Sequence, residues 1–219
     1  MKRITYFLIF LLAFSASCQS NDKKETSMTD KSVQQKDLSK YKKAYFASGC
    51  FWCVEAIFES VKGVEEAVSG YSGGTEANPT YEEVGRGQTH HAEAVEVYYD
   101  PKVVDFKTLV KVFFGSHDPT TLNRQGPDVG AQYRSIAFYQ NEKEKKIIED
   151  YIEELKEKGV YPAITTQVVP FTRFWKAEAY HQDYEKRNPD NAYVRKVSIP
   201  RLRRFQEKFP ELLKEGINE

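Results

Sequence analysis

The chain has 219 residues, and its 32 basic and 32 acidic side chains cancel to a formal net charge of zero. With no basic block anywhere, no nucleic-acid partner is expected. Fourteen phenylalanines, fourteen tyrosines and two tryptophans supply the bulk for one sizeable core.

Lys2 and Arg3 lead an apolar run over residues 4–14, followed by Ser15-Ala16-Ser17 and Cys18. A charged, then apolar, then small-residue succession reads as a secretory signal. Its apolar run falls short of the about 20 residues that span a bilayer. Small residues directly before a cysteine resemble the lipobox of bacterial lipoproteins, in which cleavage leaves a lipidated cysteine at the new N-terminus. Ser15 stands where a larger aliphatic residue is commoner, and ordinary cleavage with Cys18 incidental is the alternative. The reading is a leader over 1–18 and an exported lipoprotein, anchored by its lipid alone and facing the periplasm or the cell exterior. Residues 19–40 are polar, with almost nothing to bury, and are expected to be a flexible tether. Residues 41–219 suit one domain.

Residues 43–47 read as a short buried strand, stopped by Ser48-Gly49. Phe51, Val54, Ile57, Phe58 and Val61 then recur every three or four positions, a helical stripe that Gly63 closes. Residues 64–71 form the next expected strand. From Ser72 to Gln88 the chain is rich in Gly, Asn, Thr and Pro and reads as a long ordered loop, a kind that is usually functional. Residues 92–99 are the clearest strand. Asp105 caps a helix striped by Phe106, Leu109, Val110 and Phe113 and ending at Gly115. After another Gly/Pro/Asp-rich loop, residues 133–139 read as a strand. Ile147, Ile148, Tyr151, Ile152 and Leu155 mark a helix stopped at Gly159, and residues 165–169 a short strand. Through Tyr139 the order is strand, helix, strand, strand, helix, strand. That predicts an α+β fold, a two-layer ferredoxin-like (split βαβ) sandwich with added C-terminal helices and an aromatic-rich turn region.

Of three cysteines one lies in the leader, so the domain keeps only Cys50 and Cys53. Two residues apart, they cannot staple distant parts of a fold, and are reactive, metal-binding or incidental. A zinc site lacks a second cysteine pair, and His90, His91, His117 and His181 show no finger-like spacing; no metal is expected. An inert buried pair is the other bland reading. Against it, the bulky Phe51 and Trp52 sit between the cysteines at an expected helix start, an exposed place where they would need a reason. There free N–H groups and the positive dipole end favour a thiolate on Cys50, the reactive species. Cys53, one helical turn on, can reach back to close a disulfide.

Glu93 shares a strand face with Val95, Val97 and Tyr99, so alternation turns its carboxyl toward the apolar side. Burial there would raise its pKa and let it donate a proton near neutrality. At the strand's end it could equally reach solvent, and alternation does not choose. Tyr71, Tyr81, Tyr133, Asp128 and the histidines stand in loops or at element ends, with nothing in the pattern to separate ligand contacts from packing.

Together the motifs resemble the A-type peptide methionine sulfoxide reductases. They are Gly49-Cys50-Phe51-Trp52, Gly70-Tyr71-Ser72-Gly73-Gly74, Asn78-Pro79-Thr80-Tyr81 and His91-Ala92-Glu93-Ala94-Val95. His117-Asp118-Pro119-Thr120, Gln132-Tyr133-Arg134-Ser135, Ala177-Glu178 and Tyr180-His181-Gln182 follow in family order. The resemblance covers residues 45–189. It implies a peptide-methionine (S)-S-oxide reductase that needs no cofactor and repairs oxidised proteins or reduces free methionine sulfoxide. Cys50 matches the nucleophile and Glu93 the acid that protonates the sulfoxide oxygen. Tyr81 and Tyr133 match the phenols that bind that oxygen, Asp128 a polar pocket residue, and Phe51 and Trp52 the walls around the methyl group. A sulfenic acid forms at Cys50 and condenses with a nearby thiol.

Many relatives carry recycling cysteines in a glycine-rich tail. This chain has none after Cys53, and its residues 200–214 read as charged and helical. Cys53, standing where better-known members have glycine, is therefore expected to resolve the sulfenic acid, with direct attack by an outside thiol as the alternative. A thioredoxin-like reductant, a monomer and an untouched R epimer, since no B-type domain follows, complete the expectation. The competing readings are a general thiol–disulfide oxidoreductase, with no use for Glu93, and a non-catalytic surface lipoprotein.

Overall fold

A computed structural model describes residues 36–217. The expected leader and residues 19–35 of the expected tether lie outside the described residues. Strand β1 (Lys42–Ser48) opens the fold and α1 (Phe51–Glu59) follows. Next come β2 (Val64–Ser72), α2 (Tyr81–Gly85), β3 (Ala92–Tyr99) and α3 (Phe106–Gly115). The two-residue strands β4 (Arg124–Gln125) and β5 (Asp128–Val129) pair with each other. Then β6 (Ser135–Tyr139), α4 (Glu142–Glu157), β7 (Gln167–Pro170), β8 (Phe174–Lys176), α5 (Tyr184–Arg187) and α6 (Ile199–Lys208) complete the chain.

Six strands form one sheet in the order β7-β6-β1-β3-β2-β8. Among the described residues only the β6–β7 pair is parallel, joined by the α4 crossover; the other pairs are antiparallel. The class is α+β, as expected. The sheet is wider than the four strands of a split βαβ unit because β7 and β8 extend its two edges.

Strand alternation divides the core. Ala44 and Phe46 of β1, with Val95 and Val97 of β3, face a layer built by α1, α3, α4 and α6. Phe46 stacks on Phe58 and on Phe113, each at 5.1 Å between ring centroids, and so locks β1 to both helices. Tyr45, Ala47, Ala92, Ala94, Ile136 and Phe138 face the other way, under Val169, Phe171 and Phe174. With both faces covered, all of β3 except Tyr98 is buried.

Several boundaries differ from the sequence reading. The long loop over 72–88 contains α2, where Thr80 and Glu83 form a reciprocal capping box. Tyr133 ends a 3-10 turn (Ala131–Tyr133), and β6 begins only at Ser135. The aromatic-rich region holds β8, paired to β2 through Tyr71 and Trp175. Asp105 caps α3 as expected, its Oδ1 accepting from the Thr108 N–H at 2.7 Å. Among the described residues no helix is long and apolar enough to cross a membrane.

Candidate active site

The site grows from the turn between β1 and α1. Gly49 adopts φ of +90°, which costs a glycine little. A side chain there would also lie 2.6 Å from Gln125 Cβ. Cys50 is the N-cap of α1, with both cysteines unpaired as free thiols.

The helix start is buried rather than exposed. Cys50, Phe51 and Cys53 are 6%, 1% and 1% accessible. This overturns the expectation that helix-end N–H groups make Cys50 acidic. The Phe51 N–H is given to Glu93 Oε2 at 3.0 Å, and the Cys53 and Val54 N–H groups go to the Cys50 carbonyl. Burial pushes the Cys50 thiol well above its ordinary range, and the neighbouring Cys53 sulfur and Glu93 add to the shift. Cys53 is drawn down by the hydrogen bond from Cys50 and by the Arg201 charge, against its own burial. The two thiols titrate as a coupled pair, and of the two it is the Cys53 thiolate that the surroundings favour.

Glu93 lies on the helix-facing side of β3 with Val95 and Val97 and is 2% accessible, which decides between the two readings left open for it. Burial raises its carboxyl to about 8, and the charge of Asp128 adds to the rise against the Phe51 hydrogen bond. Tyr81, first residue of α2, and Tyr133 are half-buried phenols raised by burial, and both feel Glu93 and Cys50. Asp128, on β5, accepts the Tyr193 hydroxyl at 2.6 Å, and Tyr193 Oη lies 3.9 Å from Cys53 Sγ. Cys50, Glu93, Tyr81, Tyr133 and Asp128 therefore converge, although they come from five separate stretches of chain.

Phe51 and Trp52 build the apolar side. Phe51 packs near Tyr81 at 6.1 Å and His181 at 5.0 Å between centroids. Trp52 stacks on Tyr184 at 3.8 Å, and its Nε1–H donates to His181 Nδ1 at 3.1 Å. His181 Nε2 is buried with no hydrogen-bond partner. Since Nδ1 accepts, the neutral ring carries its proton on Nε2.

Tyr71 is fully buried and donates to Glu178 Oε2 at 2.8 Å, while Glu178 Oε1 accepts the Tyr81 N–H. It supports Tyr81 rather than facing the thiol. His90 and His91 are bound to Glu76, and His117 sits between the Phe113 carbonyl and Ser135. The four histidines are not gathered. Tyr184, Tyr193 and Arg201 come from the C-terminal stretch, where only a charged helix and aromatic turns were legible.

Residues 42–213 match the family model described as peptide methionine sulfoxide reductase. The chain is 48% identical over 171 residues to peptide methionine sulfoxide reductase MsrA 1 of Rhodopirellula baltica, covering 78% of this chain and 88% of that protein. It is 46% identical over 168 residues to MsrA of Sulfolobus acidocaldarius, covering 77% and 95%. The solved methionine sulfoxide reductase A of Corynebacterium diphtheriae superposes with a TM-score of 0.63 at 36% identity, covering 69% of this chain and 77% of that one. Reduced Mxr1 of Saccharomyces cerevisiae gives 0.64 at 36% identity, covering 70% and 88%. The chain belongs to the peptide methionine sulfoxide reductase family.

Proposed function

We propose that this methionine sulfoxide reductase acts on the S epimer, in peptides or free, through Cys50 as nucleophile and Glu93 as acid. The observation that carries the reading is the Glu93 carboxyl, buried beside Cys50, held by the Phe51 N–H and raised to about 8. At neutral pH it is mostly protonated and has a proton to give. Oε2 is engaged by Phe51, which leaves Oε1 for the substrate oxygen.

Phe51 and Trp52 hold the methyl group, and Tyr81 and Tyr133 donate to the sulfoxide oxygen. One apolar wall opposite one polar wall is what distinguishes the two epimers of a sulfoxide. As Cys50 attacks the sulfur, its proton passes to Cys53. Glu93 protonates the oxygen, methionine departs, and Cys50 keeps the oxygen as a sulfenic acid. Asp128 orients Tyr193 at the edge of the pocket. Cys53 then displaces the oxygen as water and closes a Cys50–Cys53 disulfide. A dithiol of the thioredoxin type reopens it, and no step calls for a cofactor or a second subunit. General thiol–disulfide exchange would have no use for the acid at Glu93.

Separated epimers of a methionine sulfoxide peptide test this. One equivalent of the S epimer, without reductant, should yield methionine and a Cys50–Cys53 disulfide by mass spectrometry. Consumption of the R epimer at a similar rate would refute the stereochemical assignment.

We further infer from residues 1–18 that the chain is exported and anchored through Cys18. Labelled palmitate should enter the wild type and not Cys18→Ser. Equal labelling of both would refute the anchor.

A further inference from the structure

The C-terminal helices reach Cys53 in a way that bears on recycling. Over Val194–Ser198 the chain winds as a π-helical turn before α6, a rare local geometry that favours functional sites. That winding places Tyr193 Oη 3.9 Å from Cys53 Sγ, and Ser198 and Arg201 close enough to bear on the same sulfur.

Their hydrogen-bond protons can be followed one by one. Tyr193 has one O–H and donates it to Asp128. At Cys53 its oxygen is therefore an acceptor, which favours the thiol and not the thiolate. Ser198 also has one hydroxyl proton and gives it to Glu185. Arg201 is different. It is 8% accessible, its Nε donates to the Ser116 carbonyl at 2.7 Å, and its Nη2 donates to the Ser48 carbonyl at 2.8 Å. Nη1 lies against Gly49, where an added Cβ would sit 3.3 Å from it. Two backbone anchors thus fix a guanidinium beside the Cys50–Cys53 turn.

The groups around Cys53 are then Cys50 from the head of α1, Glu93 from β3, Asp128 from β5, Tyr193 and Arg201. In the resting enzyme Cys50 donates to Cys53 and stabilises its charge. Oxidation of Cys50 to the sulfenic acid removes that S–H at the moment Cys53 must attack. Glu93 and Asp128 oppose a second anion nearby. Of the described groups that favour the Cys53 thiolate, Arg201 is then the one that acts by a fixed charge and not by a shared hydroxyl proton.

We propose that Arg201 is a positioning residue for the resolving step, its fixed charge holding Cys53 as the thiolate that attacks the Cys50 sulfenic acid. This rests on the reading of Cys53 as the resolving cysteine. In the step, Cys53 gives up the proton it took from Cys50, its S⁻ forms the S–S bond, the Cys50 S–O bond breaks, and the departing oxygen takes up that proton to leave as water. Cys53 is oxidised and the Cys50 sulfur reduced, with no outside oxidant. An outside dithiol later reduces the disulfide.

The test is the rate of disulfide closure after mixing with one equivalent of methionine sulfoxide, followed across pH by quenching, alkylation and mass spectrometry. Arg201→Met should slow closure roughly tenfold at neutral pH and move its pH midpoint up by about one unit, recovering in alkali. Closure should slow more than sulfoxide reduction does, and Arg201→Lys should restore it. Closure by Arg201→Met with the wild-type pH profile would overturn the proposal. Cys53→Ser separates the two levels. Normal turnover of that variant with a dithiol would refute Cys53 as resolving cysteine, whereas a stalled Cys53→Ser beside an unaffected Arg201→Met refutes only Arg201. If the buried methionine prevents folding, alkylation of Cys53 in Cys50→Ala, which removes the neighbouring donor and keeps Arg201, decides. A midpoint below the ordinary thiol value of about 8.5 supports the proposal, and one at or above it overturns it.

Discussion

Replacing Glu93 by glutamine isolates proton donation from the other things this carboxyl does. Glutamine has nearly the same volume, and its amide oxygen still accepts the Phe51 N–H that Glu93 Oε2 holds at 3.0 Å. It cannot give up a proton to the sulfoxide oxygen. A positioned general acid contributes about 10²–10⁴ in rate, so the first turnover of Glu93→Gln should slow at least about 100-fold at neutral pH. Wild-type first turnover should fall as pH rises through about 8, where Glu93 loses its proton. The variant should lack that fall.

Stability should move the opposite way. Burial lifts the carboxyl from 4.5 to about 8, so between those values the folded state keeps a proton that the unfolded chain releases. The contribution is full below about 4.5 and lost as pH climbs to about 8. The loss is on the order of several kcal/mol as an upper bound, since water entering near the site would soften it. Glutamine carries no such penalty. The inactive variant should therefore melt higher than the wild type near pH 8, and the gain should vanish near pH 4.5. Quenched single-turnover assays without reductant and calorimetry at both pH values measure the two halves. Activity within tenfold of wild type, or a stability difference independent of pH, would refute the assignment of Glu93 as a buried acid.

Glu55 is 3% accessible, raised to about 8 by burial, and accepts from Ser69 and the Asp183 N–H. Melting curves of Glu55→Gln should show a second, independent reduction of the alkaline loss of stability. Tyr81→Phe and Tyr133→Phe should each lower the first-turnover rate about tenfold through a lost donor to the developing charge, with folding intact by circular dichroism. Gly49→Ala should destabilise by about 2 kcal/mol or more in urea titrations, because it combines a left-handed φ with a 2.6 Å approach to Gln125 Cβ. Phe46→Ala, which empties a ring stacked on Phe58 and Phe113, should cost about 3–5 kcal/mol in the same titrations.

Long apolar periodicities made most of the fold legible. The stripes of α1, α3 and α4 and the alternation in β3 are set by which face meets the sheet, and that information is local. The short elements were not legible, because tertiary contacts decide them. Only the capping pair Thr80–Glu83 announces α2, within a stretch otherwise rich in turn residues. β8 spans Phe174–Lys176, too short to alternate visibly, and exists because β2 offers it an edge through Tyr71.

The site was legible in its residue types and misread in its electrostatics. A cysteine at a helix start suggested that the free N–H groups serve the sulfur, since a helix end favours an anion. Two side chains compete for that end. The Glu93 side chain comes from β3, 42 residues away in sequence, and takes the Phe51 N–H. Cys50 is left in an apolar pocket where burial outweighs the dipole and holds the thiol protonated. Its partner Cys53 has Arg201 nearby, from a helix that the sequence marks only as charged. The hydrogen bond from Cys50 to Cys53 therefore couples the attacking sulfur to a cation 151 positions further along the chain. Local pattern identifies both sulfurs, but which of them carries the charge depends on β3 and α6 folding against the same turn.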